Sequence, residues 1–236
     1  MELSEVVGQL AVLRRFPVEP LGGESPNEAR LVSGGLSGEG AFTILYESGE
    51  PLRPVDITAC LQFQVRFLDS NVVDDLGSWA RVRSPDGTET PLSDSAWLAD
   101  LSRRLGRPVR LQRTERAEES RDLHLLSRPT LGFLERAYGR ALETSRIRVN
   151  FLVDLHEGKA FGEDEWVGRQ IRVGDGLFEV VGPSRDGLLT GAGPEAGGDL
   201  RMIEGLLHVR GGDLGVRVRT VSGQRVRVGD PIALVG

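Results

Sequence analysis

Apolar and polar positions alternate in short runs along most of this chain, and Gly/Pro-rich turns separate the runs. VVGQLAVLRRFPVEP starts apolar and ends at two prolines, which predicts a strand leaving a sheet. GAFTILYESGEPL reads as a hairpin turning at Ser48-Gly49, with Ala41, Thr43 and Leu45 alternating with Phe42, Ile44 and Tyr46. LQFQVRFLD and WARVRSPDGTETPL predict another, in which Pro85 presets φ and Gly87 supplies a positive one. IRVNFLVDL, RQIRVG, LFEVVG, LGVRVRTV and QRVRVGDPIALVG predict further strands. Three segments carry helical spacing instead. SDSAWLADLSRRLG has a Ser or Asp cap, an apolar stripe of Trp97, Leu98, Leu101 and Leu105, and Gly106 as its stop. SRPTLGFLERAYGRAL has Ser127 as cap, Pro129 in the first turn, and Leu131, Leu134, Tyr138 and Leu142 on one stripe. DLRMIEGLLHVRGG runs from Asp199 to Gly211-Gly212. Many short strands with few helices predict a mainly β, α+β protein built on a β-barrel-like core.

Composition narrows the function classes. At 236 residues the chain can bury a core of one large domain or two small ones. A net charge of −6 argues against a nucleic-acid partner, which would select a basic face. No apolar run approaches the roughly 20 residues of a membrane span, and MELSEVVGQL lacks the basic start and apolar stretch of a signal peptide. The expectation is a cytoplasmic protein with neither membrane nor nucleic acid as partner.

Cys60 is the only cysteine, which excludes an intrachain disulfide and any Cys-cluster metal site; in ITACLQFQVRF it reads as a buried, inert thiol on a strand. Lys159 is the only lysine, so a pyridoxal phosphate Schiff base would have to form there, in the loop-like HEGKAF; pyridoxal phosphate is not expected. His124, His156 and His208 lack metal-ligand spacing and read as surface or satisfied core residues. The glycine-rich VGDGLF and SGGLSGEG fit neither a phosphate loop nor a dinucleotide fingerprint.

The most distinctive stretch is RIRVNFLVD (146–154), followed by GEDEWVGRQIRVGDGLFEVVGPSRDGLLT (162–190). It resembles the core signature of MOSC domains, the family named after the C-terminal domain of molybdenum-cofactor sulfurases. Members read close to RFRPNLVVD, then ED.W.G..L.IG, a strand, an Arg-Cys pair and a Met-Thr or Leu-Thr. All of that frame is present here except the cysteine. The opening residues 10–52 are similar to the N-terminal β-barrel segment preceding many MOSC cores, as in bacterial relatives of the mitochondrial amidoxime-reducing component. There the text is close to RYPVKSLGGE, then GL.GDR.W. Arg15, Phe16, Pro17, Val18, Gly35, Leu36 and Gly38 keep it. LHLLSRPTLGFL resembles the family's LLLSTASL, and residues 211–234 match the closing GG.FGV…V…G.VRVGD.V.L.

The resemblance implies an N-terminal β-barrel-like domain over 1–113 and a MOSC core over 114–236, with the first strands free to pack into the core. TERAEESRD (114–122) is the candidate connection. It also implies a pocket lined by Arg148 and Asn150, which read equally well as pocket or structural residues. Trp166 reads as core, Asp164 as a turn cap, and Thr130 as a first-turn helix residue with ligand contact as the alternative.

The departures from the family text fall where the family holds an anionic molybdopterin. A phosphate needs donors and positive charge. Here the Lys-Ser pair is Glu19-Pro20, and the Asp-Arg pair is Glu39-Gly40. Gly187 falls at the family cysteine, or Asp186 with a shift of one; neither can carry a persulfide, though Asp186 could offer a hard oxygen to molybdenum. Three readings follow. The first is a divergent MOSC protein whose pocket, with Arg148, Asn150, Glu19, Glu39, Gly187 and Thr190, takes a different small molecule. In that reading a cofactor-independent reaction would use Asp186 and Arg185. The second is a molybdenum-cofactor enzyme reducing N-hydroxylated substrates with Asp186 as substitute ligand, a reading the departures disfavour. The third is a non-catalytic binding protein.

Overall fold

The computed structural model describes residues 5–33, 35–68, 80–114, 122–139, 141–142, 147–184 and 213–235. In chain order the first half holds β1 (Glu5–Leu13), β2 (Val18–Glu19), β3 (Glu28–Val32), β4 (Gly35–Leu36), β5 (Phe42–Tyr46), α1 (Ile57–Cys60), β6 (Gln64–Phe67), β7 (Ala80–Arg83), β8 (Glu89–Pro91), α2 (Ser95–Leu105) and β9 (Val109–Arg113). Then come β10 (Leu123–Ser127), α3 (Arg128–Tyr138), β11 (Phe151–Leu155), β12 (Gln170–Val173), β13 (Gly176–Pro183), β14 (Val216–Ser222), β15 (Arg225–Arg227) and β16 (Pro231–Val235).

Seven of these strands close a barrel in the order β1-β11-β10-β14-β13-β12-β16. All neighbours are antiparallel except β10 and β11, whose parallel register pairs Leu125 with Phe151. The period-2 pattern explains the closure: Phe178 and Val180 of β13, Ile171 and Val173 of β12, and Val216 and Val218 of β14 all point inward. Phe151 and Phe178 meet edge to face, centroids 5.4 Å apart, at the centre. In β1 the alternation breaks. A register shift between Leu10 and Val12 lets Leu10 and Leu13 both face the barrel, while Val12 packs outside it. The mainly β, α+β architecture expected from the sequence is therefore observed, and its N-terminal strand sits between β11 and the last strand, β16.

Residues 18–109 build a second core against two small sheets, β2-β5-β9 and β6-β7-β8. Trp97 is its largest member and donates its indole N–H to Leu92 O at 3.1 Å. Helix α2 is capped as expected: Asp94 accepts the Ala96 N–H, and Gly106 closes the end in the left-handed region. A third cluster packs α3 on the barrel through Leu126, Leu131, Leu134 and Leu152.

Several local readings are corrected. Cys60 ends a short helix, and the strand of its run begins only at Gln64. Burial pushes its thiol up to about 12, with the Asp56 charge adding to the effect, so the inert reading stands. The hairpin at Ser48-Gly49 makes the Tyr46 N–H to Glu50 O bond and one bridge at Pro51, then stops. A proline cannot donate to a ladder, and β5 pairs with β9 and β2 instead. The Pro85-Asp86-Gly87 turn joins β7 to β8, with Gly87 at φ 87°. Helix α3 ends at Gly139, φ 80°, so Leu142 lies beyond it. The 199–212 helix lies outside the described residues. Among those described, no helix is long and apolar enough to cross a membrane.

Candidate functional site

The strand expected over IRVNFLVDL begins only at Phe151, and Asn150 just before it bonds its neighbours through side chain and backbone alike. Its Oδ1 accepts the His124 N–H at 2.9 Å, and its Nδ2 donates to Arg14 O at 3.3 Å. Its backbone N–H donates to His124 O and its carbonyl accepts the Arg14 N–H. Asn150 thus ties the segment to both β10 and the chain leaving β1.

That chain supplies the opposite side. Arg148 lays its guanidinium over the Phe16 ring, 4.3 Å from the centroid, and donates Nη1 to Leu21 O at 3.2 Å. Glu39, on the turn after β4, accepts the Phe16 N–H at 2.8 Å. Its carboxyl also takes a side-chain hydrogen bond from Asn150 and feels attraction from Arg148 and repulsion from Glu19. Burial is the largest influence and raises the Glu39 carboxyl above its ordinary value, against the lowering by Arg148, Phe16 N–H and Asn150. Gly40 follows at φ 56°, a region that disfavours any longer side chain, and donates its N–H to Phe16 O. The Glu19–Pro20 peptide is cis.

Arg15 holds this turn from behind. It is buried, donates to Glu24 through Nε at 2.8 Å and to Ser37 O through Nη1 at 2.9 Å, and stacks on Phe67. Glu24 Oε2 in turn accepts the Phe67 N–H.

The structure therefore gathers Glu19, Glu39, Arg148 and Asn150 at one place. Arg185, Asp186, Gly187 and Thr190 lie outside the described residues. Thr130 is fully buried and engaged: its hydroxyl donates to Glu163 Oε2 at 3.0 Å, accepts the Phe161 N–H at 2.7 Å, and lies 2.9 Å from Ser127 Oγ. Trp166 packs in the barrel core as expected. Lys159 is exposed and paired with Glu165, whose hydrogen bond and charge raise its ammonium above the ordinary value and so disfavour the free amine a Schiff base needs. Among the described residues no cluster of three His, Cys, Asp or Glu could hold a metal ion.

One contributor escaped the sequence reading, and a second was read only as a surface or satisfied core residue. Glu163 is fully buried and accepts the Ser127 N–H at 3.1 Å, pinning the GEDEW turn to the start of α3. His124 lies on the barrel wall behind Asn150 with both ring nitrogens engaged. The only prior signal was a polar residue inside the apolar run LHLLS.

The raised Glu39 carboxyl makes a pH prediction. A carboxyl that binds its proton more tightly when folded contributes stability below the unfolded value, about 4.3, and loses it as pH rises through the folded value. Glu39→Gln is therefore expected to be at least as stable as the parent at neutral pH, the difference closing towards about pH 4. Urea midpoints across that range check it; a variant clearly less stable at neutral pH would show that the ionised carboxylate stabilises the fold.

The MOSC domain matches residues 112–233, more than half of the chain. The protein belongs to the MOSC family. No curated protein matches it. Among solved structures it is similar to the YuaD protein of Bacillus subtilis, at 11% identity and a TM-score of 0.48 over 98% of each chain. It is also similar to YiiM of Geobacillus stearothermophilus, at 16% identity and a TM-score of 0.36, covering 48% of this chain and 54% of that one.

Proposed function

We propose that this is a divergent MOSC protein that binds a small molecule other than molybdopterin between the 16–21 and 37–40 turns and the Arg148–Asn150 segment. The observation that carries the reading is Glu39. Its carboxyl takes the Phe16 N–H and an Asn150 hydrogen bond, donors an anionic group would otherwise use there, and feels the attraction of Arg148. Arg148 thus has an internal counter-ion, and Glu19 adds a second negative charge nearby. Pro20 offers no N–H and Gly40 no side chain. The described groups do not fit a molybdopterin phosphate, and no chemical step is derived through that cofactor. From the sequence alone, Asp186 and Arg185 are the pair proposed to act if the protein is a cofactor-independent enzyme, with Gly187 and Thr190 beside them. A non-catalytic binding protein would use the same pocket.

Inorganic pyrophosphate is the simplest probe of the counter-ion. The parent protein is expected to bind it weakly at neutral pH, and Glu39→Gln, which leaves Arg148 and Asn150 available to an anion, at least about tenfold more tightly. Loss of one opposed buried charge is worth more than the roughly 1.4 kcal/mol that tenfold requires. Calorimetric titration of both proteins measures it. Equal affinities would remove the case for Glu39 as an internal counter-ion.

A further inference from the structure

His124 has no role in the reading above, yet its ring joins the Arg148–Asn150 segment to the chain at Leu214. Its Nδ1 lies 3.0 Å from Arg148 O and its Nε2 2.6 Å from Leu214 O. Both acceptors are main-chain carbonyls, which can only accept. A neutral imidazole has one N–H, so either tautomer would set a ring lone pair against a carbonyl oxygen at one of these distances. Two N–H groups satisfy both contacts, and the charge shortens and strengthens each bond.

The close approach at Leu214 is independently enforced. Gly215 has φ 67°, and a Cβ there would lie 2.3 Å from Leu125 O and 3.0 Å from His124 Nε2. Leu214 and Gly215 are also tied to Ser184, through Leu214 N–H to Ser184 O and Ser184 N–H to Gly215 O.

We propose that His124 is a buried imidazolium that locks the Arg148–Asn150 side of the pocket to the chain at Leu214, so that raising the pH through its titration loosens that side. As a description of the lock it stands on the geometry; as a control on ligand binding it rests on the pocket reading above.

Among the described residues, several charged groups lie on the surrounding elements. Asp122, two residues back and just before β10, is paired with Arg217 and Arg219 of β14, and Arg217 is the cross-strand partner of His124. Arg148 and Asp213 lie in the two segments the ring joins, Arg14 on the chain bonded to Asn150, and Glu39 beyond Asn150. On α3, Arg128 faces Asp154 of β11, Glu135 accepts the Leu142 N–H, and Arg136 is the remaining charge. Asp122 favours the charged ring and the arginines oppose it; the two carbonyl contacts each call for an N–H. A histidine whose folded value is raised gives stability that is complete below the unfolded value, about 6.5, and lost as pH rises through the folded value.

Ring-nitrogen NMR on the intact protein tests this directly. The chain has three histidines, and His156→Asn and His208→Asn assign the third resonance by elimination. At pH 7.5, both His124 nitrogens are expected to carry protons. The amides of Asn150 and Gly215 are expected to shift with the same titration midpoint as the His124 ring. A neutral tautomer at that pH, or Asn150 and Gly215 amides indifferent to the ring's titration, would overturn the proposal. Neither result depends on pyrophosphate binding, so this inference and the pocket reading can fail separately.

Discussion

A fragment cut at the family boundary, residues 112–236, is expected not to fold cooperatively, because the barrel needs β1. That strand pairs with β11 on one side and β16 on the other, over registers running from Glu5 to Leu13. Without it both neighbours become open edges, the usual template for aggregation. The core also loses Leu10 and Leu13, fully buried side chains worth about 1.5–3 kcal/mol each, against a total stability of about 5–15 kcal/mol. Gly8 shows how closely β1 seats: a Cβ there would lie 2.0 Å from Asp154 O. The fragment should give a broad thermal melt and aggregate on gel filtration, and a peptide of residues 1–15 added in trans should recover the sharp transition. A fragment that melts cooperatively alone would contradict the closed-barrel account.

Glu163→Ala is the point substitution expected to cost most. The carboxylate is fully buried and serves the Ser127 N–H with one oxygen and the Thr130 hydroxyl with the other. Truncation leaves both donors without that acceptor and leaves a void. At about 1–3 kcal/mol for each unsatisfied buried group, a loss of about 3 kcal/mol follows. For a chain of this size that lowers the melting temperature by about 6–12 °C. Glu163→Gln should fall between, since its carbonyl can still accept from Ser127 while its amide cannot accept from Thr130. Calorimetry on the three proteins decides; an alanine variant within about 1 kcal/mol of the parent would show the network to be dispensable.

Much of the fold was legible because alternation and caps are local properties. β12, β13 and β14, the Asp94 and Ser127 caps, and Gly106 lie where the pattern puts them. Misreadings came where a distant partner overrode the local signal. The strand expected from Ile147 starts only at Phe151, after Asn150 bonds His124, 26 residues away, and β5 chose β9 over its sequence neighbour. Closure by β1 is longer-range still, since its partners lie beyond residue 150. At the site, Arg148, Asn150, Glu19 and Glu39 were legible only through the resemblance to MOSC text, which places positions but not contacts. The counter-ion relation of Glu39 to Arg148 depends on two turns meeting across more than a hundred residues, and no spacing rule encodes that. Glu163 was missed, and His124 was read only as a surface or satisfied core residue, because buried polar residues look ordinary until their partners are known.

The central claim is that the pocket has exchanged an anionic cofactor for an internal carboxylate. Elemental analysis for molybdenum and tungsten, on protein purified from a molybdopterin-producing host, tests it most directly. The account predicts neither metal above trace level, in the parent and in a Glu19→Ala variant alike. Stoichiometric molybdenum in the parent protein would contradict it and restore the family's cofactor chemistry to this chain.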